Sequence, residues 1–285
     1  MTSTPPTTAP DVAIPGREVV AELRRTCEAL AQRAGDLVLQ MRREAVDVAA
    51  TKSSLTDVVT RADLASEKLL TELIEELRPQ DGVLGEEGAR RVGQSGLTWV
   101  LDPIDGTVNY LYGRADYAVS VAVVAGDPAD MTAWRPVAGA VHAPVHHRTF
   151  SAGLGLGASD GDRELRVPPA PELAQALVGT GFSYDAAVRA WQGRVLADVL
   201  PRVRDVRRAG AGALDACAVA AGELDAHVER GLQPWDVAAA ELIVTEAGGA
   251  VRHDRQDDGS IVTVITSRDL LGPLGDLFAH ASRDV

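Results

Sequence analysis

Trp99–Tyr110 reads WVLDPIDGTVNY, and its residue types and order could do chemistry. An apolar run leads into Asp102, Asp105 follows three residues later, and then come Gly106 and Thr107. Two carboxylates at a strand end, separated by a proline turn, can converge on one point. They would offer the oxygen ligands that a hard divalent cation such as Mg²⁺ requires. Gly106 lets the backbone approach a ligand closely, and Thr107 can begin a helical turn whose free N–H groups receive an anion. Metal and phosphate would then lie side by side. Asp, Pro and Gly are also the residues of ordinary turns, so composition alone leaves a plain turn open.

Other carboxylates have equally local explanations. Asp63 follows Thr60 by three residues, which fits a capping box. Asp236 precedes an apolar-periodic helix and could be an N-cap. Glu86 in Gly85-Glu86-Glu87-Gly88 could be a solvated loop carboxylate, Glu229 could sit on the surface at a strand end, and Lys52 in TKSSLTD could be an exposed loop lysine. A cap and a metal ligand are compatible, because both exploit a carboxylate at an exposed helix start.

Taken in order, Gly85-Glu86-Glu87-Gly88, Asp102-Pro103-Ile104-Asp105-Gly106-Thr107 and Trp235-Asp236-Val237-Ala238-Ala239-Ala240 resemble the signatures of the inositol monophosphatase family, in particular its actinobacterial type. The last runs on to Glu246-Ala247-Gly248-Gly249, and the likeness extends from about Glu18 to near the C-terminus. The resemblance implies a layered αβαβα sandwich and a Mg²⁺-dependent phosphomonoesterase that converts inositol monophosphate to inositol and phosphate. It also implies a lithium-sensitive homodimer. Glu86, Asp102 and the Ile104 carbonyl would hold a first Mg²⁺; Asp102, Asp105 and Asp236 a second; Glu86 with waters a weaker third. Asp63 with Thr107 would orient and help deprotonate the attacking water, with Glu86 beside them. Asp105, Gly106, Thr107, Asp236 and the segment Gly210-Ala211-Gly212 would contact the substrate. Glu229 would bind polyol hydroxyls, and Lys52 would stand near the metal waters.

The family pattern is broken at one place. Ala211 stands where the family usually has Ser or Thr, and Gly212 where it has Ala. One change removes a hydrogen bond and the other widens the pocket, so the ester remains open. Histidinol phosphate, fructose 1,6-bisphosphate and 3′-phosphoadenosine 5′-phosphate are alternatives, although Asp105-Gly106-Thr107-Val108-Asn109-Tyr110 and Glu229 lean toward inositol phosphate. A catalytically weak scaffold that binds a protein partner is an alternative of another class.

The elements that must position these residues show in the periodicity. Val20, Leu23, Cys27, Leu30, Ala34, Leu37 and Met41 form a helical seam over Glu18–Met41, and a second helix follows Thr60 and ends at Arg78-Pro79. Leu97–Leu101, Tyr117–Val124, Val137–His142 and Arg148–Ala152 read as strands of an antiparallel sheet. Beyond Val167-Pro168-Pro169, strands at Leu177–Phe182, Leu224–Glu229 and Ile261–Thr266 alternate with helices at Trp191–Leu200, Ala211–Ala221 and Asp236–Ala247. The expected organisation is therefore a tail over 1–16, an α+β metal-binding unit over 17–166, and an α/β unit over 167–285 that completes the site. Gly153-Leu154-Gly155-Leu156-Gly157 reads as a hairpin turn rather than a dinucleotide loop. His146 and His147, if on a strand, would face opposite ways and make poor joint ligands.

Composition excludes several classes. With 41 acidic and 28 basic side chains in 285 residues, the net charge of −13 repels nucleic acid and anionic membranes. Arg202, Arg204, Arg207 and Arg208 form the nearest thing to a basic cluster and read as a solvated loop edge, with a patch near an anionic ligand as the alternative. Cys27 and Cys217 lie in helical stretches without disulfide or zinc spacing and read as core thiols in a reducing cytoplasm. No apolar run approaches the roughly 20 residues of a membrane span. The Thr/Pro-rich start lacks a signal-peptide pattern and is expected to be disordered.

Overall fold

Val119, Val121 and Val123 are buried against one layer of helices, while Ala118, Ala122 and Val124 of the same strand are buried against another. Period-two alternation with apolar residues on both sides marks a strand covered on both faces, and the architecture grows outward from it. The computed structural model describes residues 13–44, 48–52 and 58–283, so most of the tail expected to be disordered lies outside the described residues.

The chain opens with α1 (Arg17–Glu44), the antiparallel pair β1 (Val48–Thr51) and β2 (Val58–Thr60), and α2 (Arg61–Leu77). Then come β3 (Gly82–Gly85), β4 (Arg90–Arg91), β5 (Leu97–Asp105) and the short α3 (Thr107–Tyr112). A meander follows: β6 (Ala118–Gly126), β7 (Trp134–Ala143), β8 (Arg148–Gly153), β9 (Gly157–Asp160) and β10 (Arg163–Glu164). The rest is β11 (Leu177–Thr180), α4 (Ala186–Val199), β12 (Asp205–Arg207), α5 (Gly212–Ala221), β13 (Ala226–Arg230), α6 (Pro234–Glu246), β14 (Ala250–Arg255), β15 (Ile261–Thr266) and α7 (Leu271–Arg283).

Five layers result. The apolar stripes of α1 and α2, with Leu23, Cys27, Leu30, Leu70 and Ile74, cover one face of an eight-stranded sheet. The other face packs on α5 and α6, which also reach Ile265 of the second, five-stranded sheet. On the far side of that sheet, Val178, Val228 and Val264 meet Val195 and Val199 of α4 and Leu274, Leu277 and Phe278 of α7. This is the expected αβαβα sandwich. Both cysteines are buried in these cores.

Three local expectations change. The first sheet is not wholly antiparallel, because β3 runs parallel to β5 with Gly85 opposite Leu101. Four residues with glycine at both ends are too few for alternation to show. Helix α4 starts at Ala186, where Asp185 accepts the N–H groups of Ala187 and Val188 as its N-cap, ahead of the expected Trp191. His146 and His147 lie in the turn between β7 and β8, where His147 has a φ of 51°, and not on a strand. The glycine-rich stretch is the β8–β9 turn, and Glu246 of α6 accepts the N–H groups of Gly155 and Gly157, each at 2.8 Å.

Helix α6 lies very close to β7. A Cβ on Gly139 would stand 2.8 Å from Cα of Ala239, a backbone atom that cannot swing aside. Gly139→Ala is expected to lower unfolding stability by about 2 kcal/mol through overpacking. A lower urea midpoint at unchanged m-value would show this; an unchanged midpoint would mean that α6 is free to move away.

Candidate active site

Asp102 and Asp105 are an odd number of residues apart, a spacing that on a regular strand points side chains to opposite faces. The β5–β6 register slips between them: Asp102 lies opposite Ser120, but Asp105 lies opposite Ala118. The extra residue in β5 is a bulge, and it returns Asp105 to the face of Asp102. The expected proline turn is this bulge, braced by the Ile104 N–H donating to Asp102 Oδ1 at 3.0 Å. The shared face looks toward α5 and α6, where Ala118 is packed and where Ser120 Oγ meets the Trp235 carbonyl at 3.4 Å.

The parallel strand β3 brings Glu86 to the same sheet end, with the Glu86 N–H donating to the Leu101 carbonyl at 3.1 Å. Lys52 Nζ donates to Glu86 Oε1 at 2.7 Å and Glu87 Oε1 at 2.8 Å. Burial opposes the lysine's charge, but Glu86 and Glu87 outweigh it and push its pKa up. Behind the loop, buried Glu67 of α2 accepts the N–H groups of Glu87 and Ala89, both at 2.8 Å. Burial pushes Glu87 up to about 7, with Lys52 opposing.

Helix starts anchor three carboxylates. Asp63 completes the expected capping box with Thr60 at α2: the Thr60 N–H and Oγ1 both donate to Asp63 Oδ2, the N–H at 2.8 Å. Its other oxygen accepts from Thr107 Oγ1 at 3.2 Å. Thr107 Oγ1 also lies 3.1 Å from the Ile104 carbonyl. Asp105 accepts the N–H groups of Gly212 at 3.1 Å and Ala213 at 2.8 Å, at the start of α5. Asp236 is the third residue of α6 and not its N-cap: Gln233 caps the helix and its N–H donates to Asp236 Oδ2 at 2.6 Å.

These groups crowd negative charge in a poorly solvated place. Burial pushes Asp63 up to about 6 against the hydrogen bonds from Thr60 and Thr107. Burial pushes Asp105 up to about 7 against the Ala213 N–H, with Asp215, Glu229 and Glu86 adding to the rise. Asp102 and Asp236 rise well above the carboxylate range through burial and then the charges of Glu86 and Asp105.

A cleft of about 630 Å³ opens here, and all of the sequence-proposed site residues except Asp63 line it. Asp63 stands behind Thr107. Gly106, with a φ of 92°, caps α3; a Cβ there would stand 3.0–3.2 Å from the Asp116 and Gly210 carbonyls and from Ala211. Sequence reasoning passed over Glu67 and Asp215, and of the basic cluster read as a loop edge Arg208 lines the cleft. Glu67 lies four residues after Asp63 on one helix face, a signal that was available. Asp215 and Arg208 reach the cleft only through tertiary folding. Arg202, Arg204 and Arg207 are exposed, as expected of a loop edge.

The donors are all oxygen: four carboxylates and the Ile104 carbonyl, a set that fits a hard divalent cation. Among the described residues, no three acidic, His or Cys side chains are already gathered in coordination geometry. Asp63, Asp105, Asp236 and Glu86 point oxygens at donors of the protein itself. A carboxylate offers about four lone-pair sites, so these bonds leave capacity for a metal.

A model of the inositol monophosphatase family matches residues 20–273, and the chain belongs to that family. An inositol-1-monophosphatase SuhB of Mycobacterium tuberculosis is 44% identical over 249 residues, 81% of this chain and 83% of that protein. A Nus factor SuhB of Pasteurella multocida is 36% identical over 224 residues, 78% of this chain and 81% of that protein. Among solved structures, Mycobacterium tuberculosis SuhB matches with a TM-score of 0.78 and 41% identity over 92% of this chain and 97% of that chain. A Thermotoga maritima IMPase matches with a TM-score of 0.79 and 27% identity over 91% and 98%. The family consists of phosphatases that act on small phosphate esters and are generally metal-dependent. No helix among the described residues is long and apolar enough to cross a membrane.

The raised carboxylates make metal and pH act together. Asp63 and Asp105 hold protons in the folded chain up to about 6 and about 7. The unfolded chain releases them near pH 4. Their contribution to metal-free stability is therefore lost as pH rises from about 4 to about 7. A divalent cation neutralises the same charge, so its benefit should be larger at pH 7.5 than at pH 5. Chelator-treated protein is expected to gain about 5 °C in melting temperature on saturation at pH 7.5. An equal or absent gain at the two pH values would remove Asp105 as a ligand.

Proposed function

We propose that this chain hydrolyses inositol monophosphate to inositol and phosphate with Mg²⁺ as its cofactor. The observation that carries this reading is the convergence of Glu86, Asp102, Asp105 and Asp236 on one cleft beside the Asp63–Thr107 hydrogen bond. Glu86, Asp102 and the Ile104 carbonyl would hold one ion, and Asp102, Asp105 and Asp236 another, with Glu86 and Lys52 beside a more weakly held third. Bound there, Mg²⁺ would lower the pKa of water and neutralise charge on the phosphoryl oxygens and the leaving alkoxide.

The chain's own groups do the rest. Thr107 Oγ1 donates to Asp63, which leaves its lone pairs to accept a proton from the attacking water. An Asp63 pKa of about 6 suits a proton acceptor near neutral pH. Backbone at Gly106 and Gly210-Ala211-Gly212 lines the phosphate side of the cleft, and Glu229 faces it from the second sheet as an acceptor for ring hydroxyls. Absence of a Ser or Thr hydroxyl at Ala211 shifts the burden of substrate choice onto Glu229. The same reading places the protein in the cytoplasm as a lithium-sensitive homodimer.

Phosphate release from inositol 1-phosphate, histidinol phosphate, fructose 1,6-bisphosphate and 3′-phosphoadenosine 5′-phosphate, with and without Mg²⁺, tests this. Wild type is expected to favour inositol 1-phosphate, and Asp102→Asn to lose about a thousandfold in kcat through lost metal stabilisation of the transition state. Preference for another ester would keep the chemistry and change the substrate. No release from any ester by folded protein would favour the scaffold reading suggested by the name of the Pasteurella multocida relative.

A further inference from the structure

Asp215 of α5 and Glu229 of β13 both line the cleft, and a side chain outside its lining lies between them. His227 stands two residues before Glu229 on β13, so the two share a strand face. Val228 between them points the other way, into the core with α4 and α7. The imidazole is fully buried. Its Nδ1 is 3.8 Å from Asp215 Oδ2, and its Nε2 is 3.3 Å from Glu229 Oε2. Neither nitrogen completes a hydrogen bond in this arrangement.

Buried polar nitrogens are rarely left unpaired, and both groups facing these two are acceptors. A neutral imidazole has one N–H and can serve one of them; a protonated one serves both. Burial pulls the imidazole's pKa down, but the adjacent Glu229 carboxylate, with the charges of Asp215 and of Asp105 from β5, outweighs it in the upward direction. Beyond Asp215 lie Arg208 and Asp116, of opposite sign.

The neighbouring strand is shaped for this pair. Gly179 of β11 lies in parallel register with His227, and a Cβ on it would stand 3.0 Å from Nδ1. A Cβ on Gly181 would overlap the Glu229 carboxylate. Gly179 on β11 and Gly181 just past its end thus leave room for the histidine and the glutamate, and Glu229 is held between Gly181 and His227.

We propose that His227 is a positioning residue for substrate choice: as an imidazolium bridging Asp215 and Glu229, it holds the Glu229 carboxylate aimed into the cleft to accept a hydroxyl of the substrate. This rests on the reading of the substrate as a polyol phosphate held by Glu229. No bond to phosphorus is made or broken through His227.

The test compares inositol 1-phosphate with p-nitrophenyl phosphate, which has no ring hydroxyls, using the Mg²⁺-loaded enzyme. His227→Phe is expected to raise KM for inositol 1-phosphate about tenfold, the scale of one charge-assisted hydrogen bond, with kcat changed less than about twofold. KM for p-nitrophenyl phosphate should not move. His227→Gln, which keeps an N–H for Glu229, should restore most of the loss. Adding Glu229→Gln to His227→Phe should cost little more, because the two act as one unit. ¹⁵N spectra of the wild type should show both His227 ring nitrogens protonated at pH 7.

An equal change in KM for both esters, no change for either, or a single ring N–H would overturn the bridge. If His227→Phe does not fold, His227→Gln and the wild-type spectrum decide. A wild-type enzyme indifferent to ring hydroxyls would instead remove the polyol reading, and the spectrum would still judge the bridge.

Discussion

Negative charge gathered where water is scarce is the constraint around which this molecule is built. Glu86, the β5 pair Asp102 and Asp105, and Asp236 come from three segments and meet at one cleft, flanked by Asp63, Asp215 and Glu229. Repulsion among carboxylates in a low-dielectric site would drive such segments apart unless positive or partially positive groups intervene. The fold supplies them from many directions. The first turns of α5 and α6 and the capping box of α2 present N–H groups to Asp105, Asp236 and Asp63. Lys52 spans Glu86 and Glu87, while the loop's own N–H groups turn back to Glu67. Each bond lowers the cost of one carboxylate, and the raised pKa values of Asp102, Asp105 and Asp236 record what is left for a cation to neutralise.

The layered architecture follows from the same demand. Helices α5 and α6 lie between the two sheets and contact both. Their N-termini open on the cleft, so their partial positive charge is directed at the acidic cluster. A two-layer arrangement would leave one sheet's carboxylates without those helix ends. The close approach of Gly139 to Ala239 sets the depth of α6, and with it the position of Asp236 relative to β5.

Much of this was legible in the residues. The seam from Val20 to Met41, the capping pair Thr60 and Asp63, and the alternation in YAVSVAVV each follow from a period that sequence displays directly. The motif at Asp102–Thr107 announced its chemistry, but its geometry was misread: a bulge against β6, and not a free turn, lets an odd spacing place two carboxylates on one face. A bulge is a property of two strands together, so one strand's sequence does not reveal it. Glu67 and His227 were hidden for a related reason. The spacing from Asp63 puts Glu67 on the same helix face, but its partners come only when the Glu87–Ala89 loop folds over it, and His227 acquires a role only when α5 brings Asp215 across from Glu229.

The proposed chemistry and the proposed choice of substrate fall to different parts of the chain. The groups that would handle phosphorus, Glu86, Asp102, Asp105 and Thr107, lie at the ends of β3 and β5 and at the start of α3, on the first sheet. Glu229 and His227 lie on β13, in the second sheet, and Glu229 lines the same cleft from there. At the N-cap and first residue of α5, the family resemblance would put a hydroxyl and a methyl group where Ala211 and Gly212 stand. Losing a hydroxyl there removes a fixed polar contact, and losing a methyl group enlarges the space next to Glu229: a Cβ at Gly212 would stand 3.8 Å from Glu229 Oε2. A pocket with fewer built-in donors discriminates less by contact and depends more on the few polar groups that stay rigid. Gly181 on one side and His227 on the other supply that rigidity for Glu229. Substitutions on the second sheet can therefore retune which ester is accepted while the bulge, the helix ends and the acidic cluster remain as they are.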